Sequence, residues 1–410
     1  MPKTARPIQT NYPTPAHVLA SSRHWHVPWS SLGLLAIIAP ACTDPAATAE
    51  ESAAVARVVD DDFPVIPNLP AQPNLVVSTV PPSGDLNPYG VAFVPKGFPA
   101  GGELHPGDIV VSNFNNSANI QGTGSTIVTI HPDGTQTLFF QGPAGLGLST
   151  ALGVLRSGFV IVGNVPSSDG LGVCNEVDGQ ETGVGQGSLM VLDKHGQVVR
   201  TIASEQFLDG PWDLTIRDRG EHAAVFVSNV LSGTVTRLDL ELHDQCRHDE
   251  DRVEVERKTQ IGSGYLHRCD PAAFVIGPTG VALDEKRDIL YVSSTGDNKI
   301  FSIHDASDRR QDAGTGNVFI SDDTHLHGPL GLARAPNGDL LSTQGDAINA
   351  DPAQVSEMVE YDRHGNFIAQ FSIDPAAGAA FGLAIRRLGD GFILAAVDDA
   401  TNELHVWTVK

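Results

Sequence analysis

The strongest constraint on how this chain can fold is a sixfold recurrence. A turn, a short apolar strand carrying Gly or Asp, a polar turn and a second apolar strand return in that order. The openings are Pro88-Tyr89-Gly90-Val91-Ala92, Ala151-Leu152-Gly153-Val154-Leu155 and Pro211-Trp212-Asp213-Leu214-Thr215. The other three are Pro278-Thr279-Gly280-Val281-Ala282, Pro329-Leu330-Gly331-Leu332-Ala333 and Ala380-Phe381-Gly382-Leu383-Ala384. Aligned on the Gly or Asp, they lie 63, 60, 67, 51 and 51 residues apart. Each opening leads into further short β-branched runs. The fourth repeat shows four of them, at 281–284, 289–293, 299–303 and 318–320.

Four short strands per repeat separated by polar turns describe a propeller blade. One blade cannot bury both of its faces, so six must stack around an axis. The Gly in each innermost strand has a steric reason, because strands crowd near that axis. The last repeat supplies only three strands before the chain ends. Residues 74–80 (Asn-Leu-Val-Val-Ser-Thr-Val) form a strand that precedes the first repeat. That strand is expected to complete the sixth blade against 405–409 and so remove the exposed edges. The fold class is therefore an all-β, six-bladed β-propeller over 72–410 whose N-terminal strand closes the last blade. Gly and Pro together make up about one residue in six, which suits this many turns and argues against a helical bundle.

The motif Gly-Pro-x-Gly-Val-Ala-Leu-Asp, followed by Leu-Tyr-Val-Ser-x-x-Gly-Asp-Asn-Lys-Ile across 277–300, resembles the NHL-type repeats of six-bladed propellers. The resemblance spans roughly 72–410 and is strongest in repeats four and five. It implies the architecture and little chemistry, since this fold carries lyases, lactonases and binding scaffolds alike. Calcium-dependent lactonases of this architecture use a Glu, Asn and Asp set on inner strands. The first inner strand here offers no Glu. The zinc-dependent amidating lyase with NHL repeats uses several His where blades begin. Here only His325 and His327 precede an opening, with His267 in a neighbouring loop.

Strand order divides the loops between two faces. Those joining the outermost strand to the next innermost one, and the second strand to the third, share the top. Top loops are long, at 113–125, 164–188, 262–278 and 344–357, whereas bottom turns such as 132–134, 194–196, 336–338 and 363–365 are short. Long loops commonly carry function, which puts the candidate site in the top mouth. Second strands end on Asn113, Asn164, Asn229, Ser294, Gln344 and Asp398. As a ring of oxygen donors, these suit a polar ligand or a divalent cation such as calcium. Equally, such side chains bond nearby turn backbone well. Trp212 and Asp213 replace the usual small residue and Gly, which suits either a ligand at the funnel wall or a blade-specific turn.

Catalytic and metal-binding residues do not otherwise declare themselves. The loop at 164–188 carries Asp169, Glu176, Asp178 and Glu181 but not the spacing of an EF-hand. It reads as a Gly-rich lid or, less directly, as a metal loop. No Gly-x-Ser-x-Gly, His-Glu-x-x-His, Walker or Rossmann signature occurs. The expected function is therefore binding of a small molecule or protein at an acidic top mouth. The alternative is a metal-dependent lyase or lactone hydrolase in the same mouth. A formal charge of −23 sets nucleic acid aside as a partner.

The N-terminus bears on location. Lys3, Arg6 and Arg23 precede an apolar run at 32–38, then Ala39-Pro40-Ala41-Cys42. This is the pattern of a signal peptide over 1–42, and its apolar run is too short to span a bilayer. Ala41-Cys42 also resembles the end of a lipobox, which would make Cys42 the only membrane anchor. Residues 43–71 read as an acidic, Ala/Pro-rich tether. A secreted, periplasmic or envelope-anchored protein is expected.

Export to an oxidising compartment favours a disulfide among Cys174, Cys246 and Cys269. Strands at 235–240 and 253–260 place Cys246 in a bottom turn and Cys269 in a top loop. About eight residues of strand then separate the two by roughly 26 Å, beyond the ~7 Å limit between bridged Cα atoms. Cys174 shares the top face with Cys269. The expected bridge is Cys174–Cys269 with Cys246 free; the alternative, Cys246–Cys269, requires that segment to fold back on itself.

Overall fold

The computed structural model describes residues 63–177, 180–243 and 252–410, without the side chains of 175–177 and 180–182. The signal at 1–42 with Cys42, the tether as far as residue 62, Asp178 and Cys246 lie outside the described residues.

Among the described residues, strands form six four-stranded sheets and two two-stranded ribbons. The sheets follow the repeats. Blade one runs Leu86–Phe93, Ile109–Asn115, Thr126–Ile130 and Gln136–Gln141 from the axis outward. Blade four is Pro278–Asp284, Ile289–Ser294, Lys299–His304 and Asn317–Ile320, close to the runs read from sequence. Innermost strands of successive blades touch all the way round, the sixth meeting the first. The ring is closed.

Blade six contributes Ala380–Leu388, Gly391–Asp398 and Glu403–Val409, and Leu75–Ser78 is its outermost strand. That strand pairs antiparallel with Glu403–Val406, with Leu75 opposite Val406 and Ser78 opposite Glu403. The pairing starts two residues earlier on the partner than the sequence pattern indicated. Apolar side chains on each sheet face meet those of the next blade. Val91, Ile109, Val111 and Val128 of blade one, for instance, pack on Ala395, Val397, Leu404 and Val406 of blade six.

Glycines at the axis have the expected cause. A Cβ on Gly280 would come within 2.5 Å of Leu330 O and Leu332 N in the next blade. On Gly331 it would meet Phe381 O at 2.5 Å. Main chain fills that space at Gly280 and, together with the Thr343 and Leu383 side chains, at Gly331, so the neighbouring backbone cannot give way.

Residues 63–71 carry a feature that composition did not suggest. Val65 and Ile66, at the 3-10 turn Ile66–Asn68, are buried in the core shared by blades five and six. Their N–H groups donate to the two carboxylate oxygens of Glu360, at 2.6 and 2.7 Å. Burial raises the Glu360 carboxyl, the two N–H bonds oppose the rise, and Asp339 beside it adds to it. Two buried aliphatic side chains contribute about 3–6 kcal/mol. A chain starting at residue 72 should therefore melt several degrees below one starting at residue 63. A chain starting at residue 83 lacks the closing strand and should show no cooperative transition. Equal melting temperatures for the first two would remove the clamp from the account.

Candidate functional site

The top mouth holds a cavity of about 320 Å³. Its large apolar side chains come mainly from one position of the repeat, the residue before the axial Gly or Asp. Tyr89, Trp212, Leu330 and Phe381 all occupy that position and all line the cavity. Tyr89 stacks between Phe114 and Phe381, with ring centroids 4.5 Å apart on both sides. Trp212 meets Tyr89 edge-on at 5.7 Å. Below the mouth, each inner strand continues into a second space of about 240 Å³ along the axis.

Two carboxylates reach the cavity. Asp399 follows the second strand of blade six, and burial together with the adjacent Asp398 pushes its carboxyl up to about 7. Asn87, at φ 61°, lies against it. With its amide oriented by its partners, Asn87 Nδ2 donates to Asp399 Oδ1 at 2.8 Å, and its oxygen accepts from Asn115 Nδ2 at 3.0 Å. Asp346 follows the second strand of blade five. Its Oδ2 accepts from Ser356 N and Gly378 N, both at 2.7 Å, and its buried Oδ1 accepts no hydrogen bond. Burial and Asp399 together hold the Tyr89 hydroxyl well above the ordinary phenol range, so it stays protonated as a donor.

Of the residues read from sequence, Trp212 lines the mouth and Asp213 lines the axial space beneath it. The ring of second-strand ends does not line the cavity. Asn113 Nδ2 donates to Thr79 O and Thr126 Oγ1, and Asn164 Nδ2 donates to Leu146 O. Asn229 Nδ2 donates to Phe207 O while its Oδ1 accepts from Asp209 N. Gln344 takes His327 N and donates to His325 O. Asp398 accepts from Thr401 N. Ser294 Oγ donates to Asp297. Most of these side chains tie down the strand-to-strand connections.

Histidines of the top loops have other partners. His325 Nδ1 lies 2.8 Å from Asp322 and its ring stacks on Phe367, whereas His327 lies against Asn349 O and Thr324 O. His267 lies against Tyr265 O. These three do not converge on one point.

The loop at 164–188 contains a hairpin, Cys174–Val177 with Gln180–Gly183, and the loop at 262–278 contains another, Arg268–Asp270 with Phe274–Ile276. A disulfide joins Cys174 to Cys269, with Cα atoms 5.6 Å apart. Topology thus selected the right partner over the nearer Cys246. In place of a free lid, this loop is tied to its neighbour. The bridge holds the second hairpin beside the mouth, where Ala272, Ala273 and Val275 complete the wall. Asp169, the one acidic residue of the first loop with a described side chain, caps Leu171 N at 3.0 Å.

No protein-family model and no curated protein matches the sequence. Solved structures similar to it include the calcium-binding protein regucalcin from Agrobacterium tumefaciens, at 12% identity over 81% of this chain and 93% of that one, TM-score 0.47. A gluconolactonase from Xanthomonas campestris is 13% identical over 85% and 100%, TM-score 0.46. The PQQ-bound aldose sugar dehydrogenase of Streptomyces coelicolor is 16% identical over 82% and 99%, TM-score 0.43. At these levels the neighbours say nothing about the chemistry of this chain.

Asp213 gives a pH prediction. Its Oδ2 accepts from Val281 N of the next blade at 2.9 Å and its Oδ1 from Leu214 N at 2.8 Å, yet burial outweighs both and pushes the carboxyl up to about 7. An unfolded Asp titrates near ~4. Between those values the folded chain holds a proton that the unfolded chain releases, so stability falls as pH rises from ~4 to ~7 and then levels. Melts at pH 5.5 and pH 8 should differ less in Asp213→Asn than in the parent. An unchanged difference would show that this carboxyl does not titrate as its burial requires.

Proposed function

We propose that the protein is an exported propeller that binds a small organic ligand in its top mouth. The observation that carries this reading is the cavity itself. It has the size of a small-molecule site, walls of Tyr89, Trp212, Phe381, Leu330 and Ile348, and Asp346 and Asp399 as polar groups. The ligand that fits has a flat or apolar body and a cationic or hydrogen-bond-donating end. Aromatic faces and carboxylates both attract such an end, and neither suits an anion. The Cys174–Cys269 bridge favours an oxidising compartment outside the cytoplasm, in keeping with the signal pattern at 1–42.

The test uses tryptamine and its acidic analogue indole-3-acetate in titration calorimetry. Tryptamine should bind at least about tenfold tighter. Asp399→Asn should weaken tryptamine about fivefold, the equivalent of about 1 kcal/mol for one polar contact. Tyr89→Ala should weaken both probes, and Asn337→Ala on the opposite face neither. Equal affinity for the two probes, or full binding by Asp399→Asn, contradicts the assignment.

A further inference from the structure

Blade six carries an arrangement that the cavity does not use. Asp398 and Glu403 stand directly opposite each other on adjacent antiparallel strands, and His405 is two residues further on, opposite Ala396. Alternation along the strands puts all three side chains on one face of the sheet. Like charges at directly opposite positions repel, and a cation between the two carboxylates would relieve that repulsion.

The distances favour an ion over a hydrogen bond. His405 Nε2 is 3.7 Å from Asp398 Oδ2 and 3.6 Å from Glu403 Oε2. Both separations are too long for an N–H···O bond, which spans about 2.7–3.2 Å. Two ligands held at about 2.0–2.1 Å by a tetrahedral ion lie about 3.3–3.4 Å apart. One ligand atom from each of the three residues falls within 4.8 Å of the other two.

Burial supplies an independent observation. The Asp398 side chain is 1% exposed, and its Oδ2, the atom aimed at His405, accepts no hydrogen bond. Its other oxygen is occupied by Thr401 N. A buried carboxylate oxygen left without a donor is costly unless a cation meets it. Glu403 is 34% exposed, which leaves an entry path and a free position for water.

We propose that Asp398, Glu403 and His405 bind one divalent first-row transition ion, with zinc as its simplest occupant. A set of one imidazole and two carboxylates has the three-ligand, open-position form of zinc sites that keep a water. Two other groupings lie at the far ends of their strands. In one, Asp108 already accepts from His105 N at 2.7 Å and sits 2.9 Å from His131; in the other, Glu241 is half-buried and Glu254 exposed. The zinc count at blade six is therefore read as a difference between variants.

The experiment is equilibrium dialysis of the chelator-treated full chain against zinc chloride, with parallel melts. The parent should hold one more equivalent of zinc than His405→Gln and Glu403→Gln, or bind it at least tenfold tighter. Zinc should raise the melting temperature of the parent and not of the variants. Circular dichroism checks their folding; if His405→Gln fails to fold, Glu403→Gln, altered at a partly exposed position, decides. Identical zinc uptake by parent and folded variants overturns the site. Tryptamine is absent from this assay, so its outcome is independent of the cavity.

Discussion

Adjacent blades of a propeller do not share a backbone ladder, so something else must hold their inner strands together at the axis. Here side-chain oxygens near the top of one blade bond main chain of the next. Ser112 Oγ donates to Ser149 O, Ser149 Oγ to Pro211 O, and Ser228 Oγ to Thr279 O. Thr279 and Thr295 both donate to Pro329 O, and Thr343 donates to Phe381 O. At the sixth junction Asn87 N donates to Asn402 Oδ1 at 2.7 Å. Such a bond contributes about 1 kcal/mol each, and the belt works only if main chains approach closely. That approach is what excludes a Cβ at Gly280 and Gly331.

The mouth follows from the belt. With the main chain drawn in at the Gly, the residue before it turns up into the top opening. Four of the six repeats place Tyr89, Trp212, Leu330 or Phe381 there. At blade three Asp213 replaces Gly, and its carboxylate takes Val281 N across the junction. One substitution in the repeat thus keeps the inter-blade bond while placing an acid in the axial space.

Architecture was legible because it rests on periodic signals. Blade boundaries, the closing strand at 74–80 and the bridge between Cys174 and Cys269 all follow from strand count and direction. The site was less so. Asn113, Asn164 and Asn229 have the residue types of a binding ring, but composition alone cannot show that they turn towards Thr79, Leu146 and Phe207. Trp212 was legible because it departs from the repeat, whereas Tyr89 and Phe381 share its position before the axial Gly without any departure to mark them. Asp399 has no such signal. It matters because burial and the adjacent Asp398 raise it, and both depend on packing. The Glu360 clamp on Val65 and Ile66 spans nearly three hundred residues, a range at which sequence spacing carries no information.

The central claim is that the closed ring presents one working cavity at its top, with an apolar wall from the residues that precede the axial Gly or Asp. Crystals of the protein soaked with a library of small aromatic and aliphatic amines test it most directly. The account predicts that bound fragments gather against Tyr89, Trp212 and Phe381, with their donor groups turned to Asp399 or Asp346. Fragments gathering instead at the short turns of the opposite face, with the top cavity left to water, would contradict it.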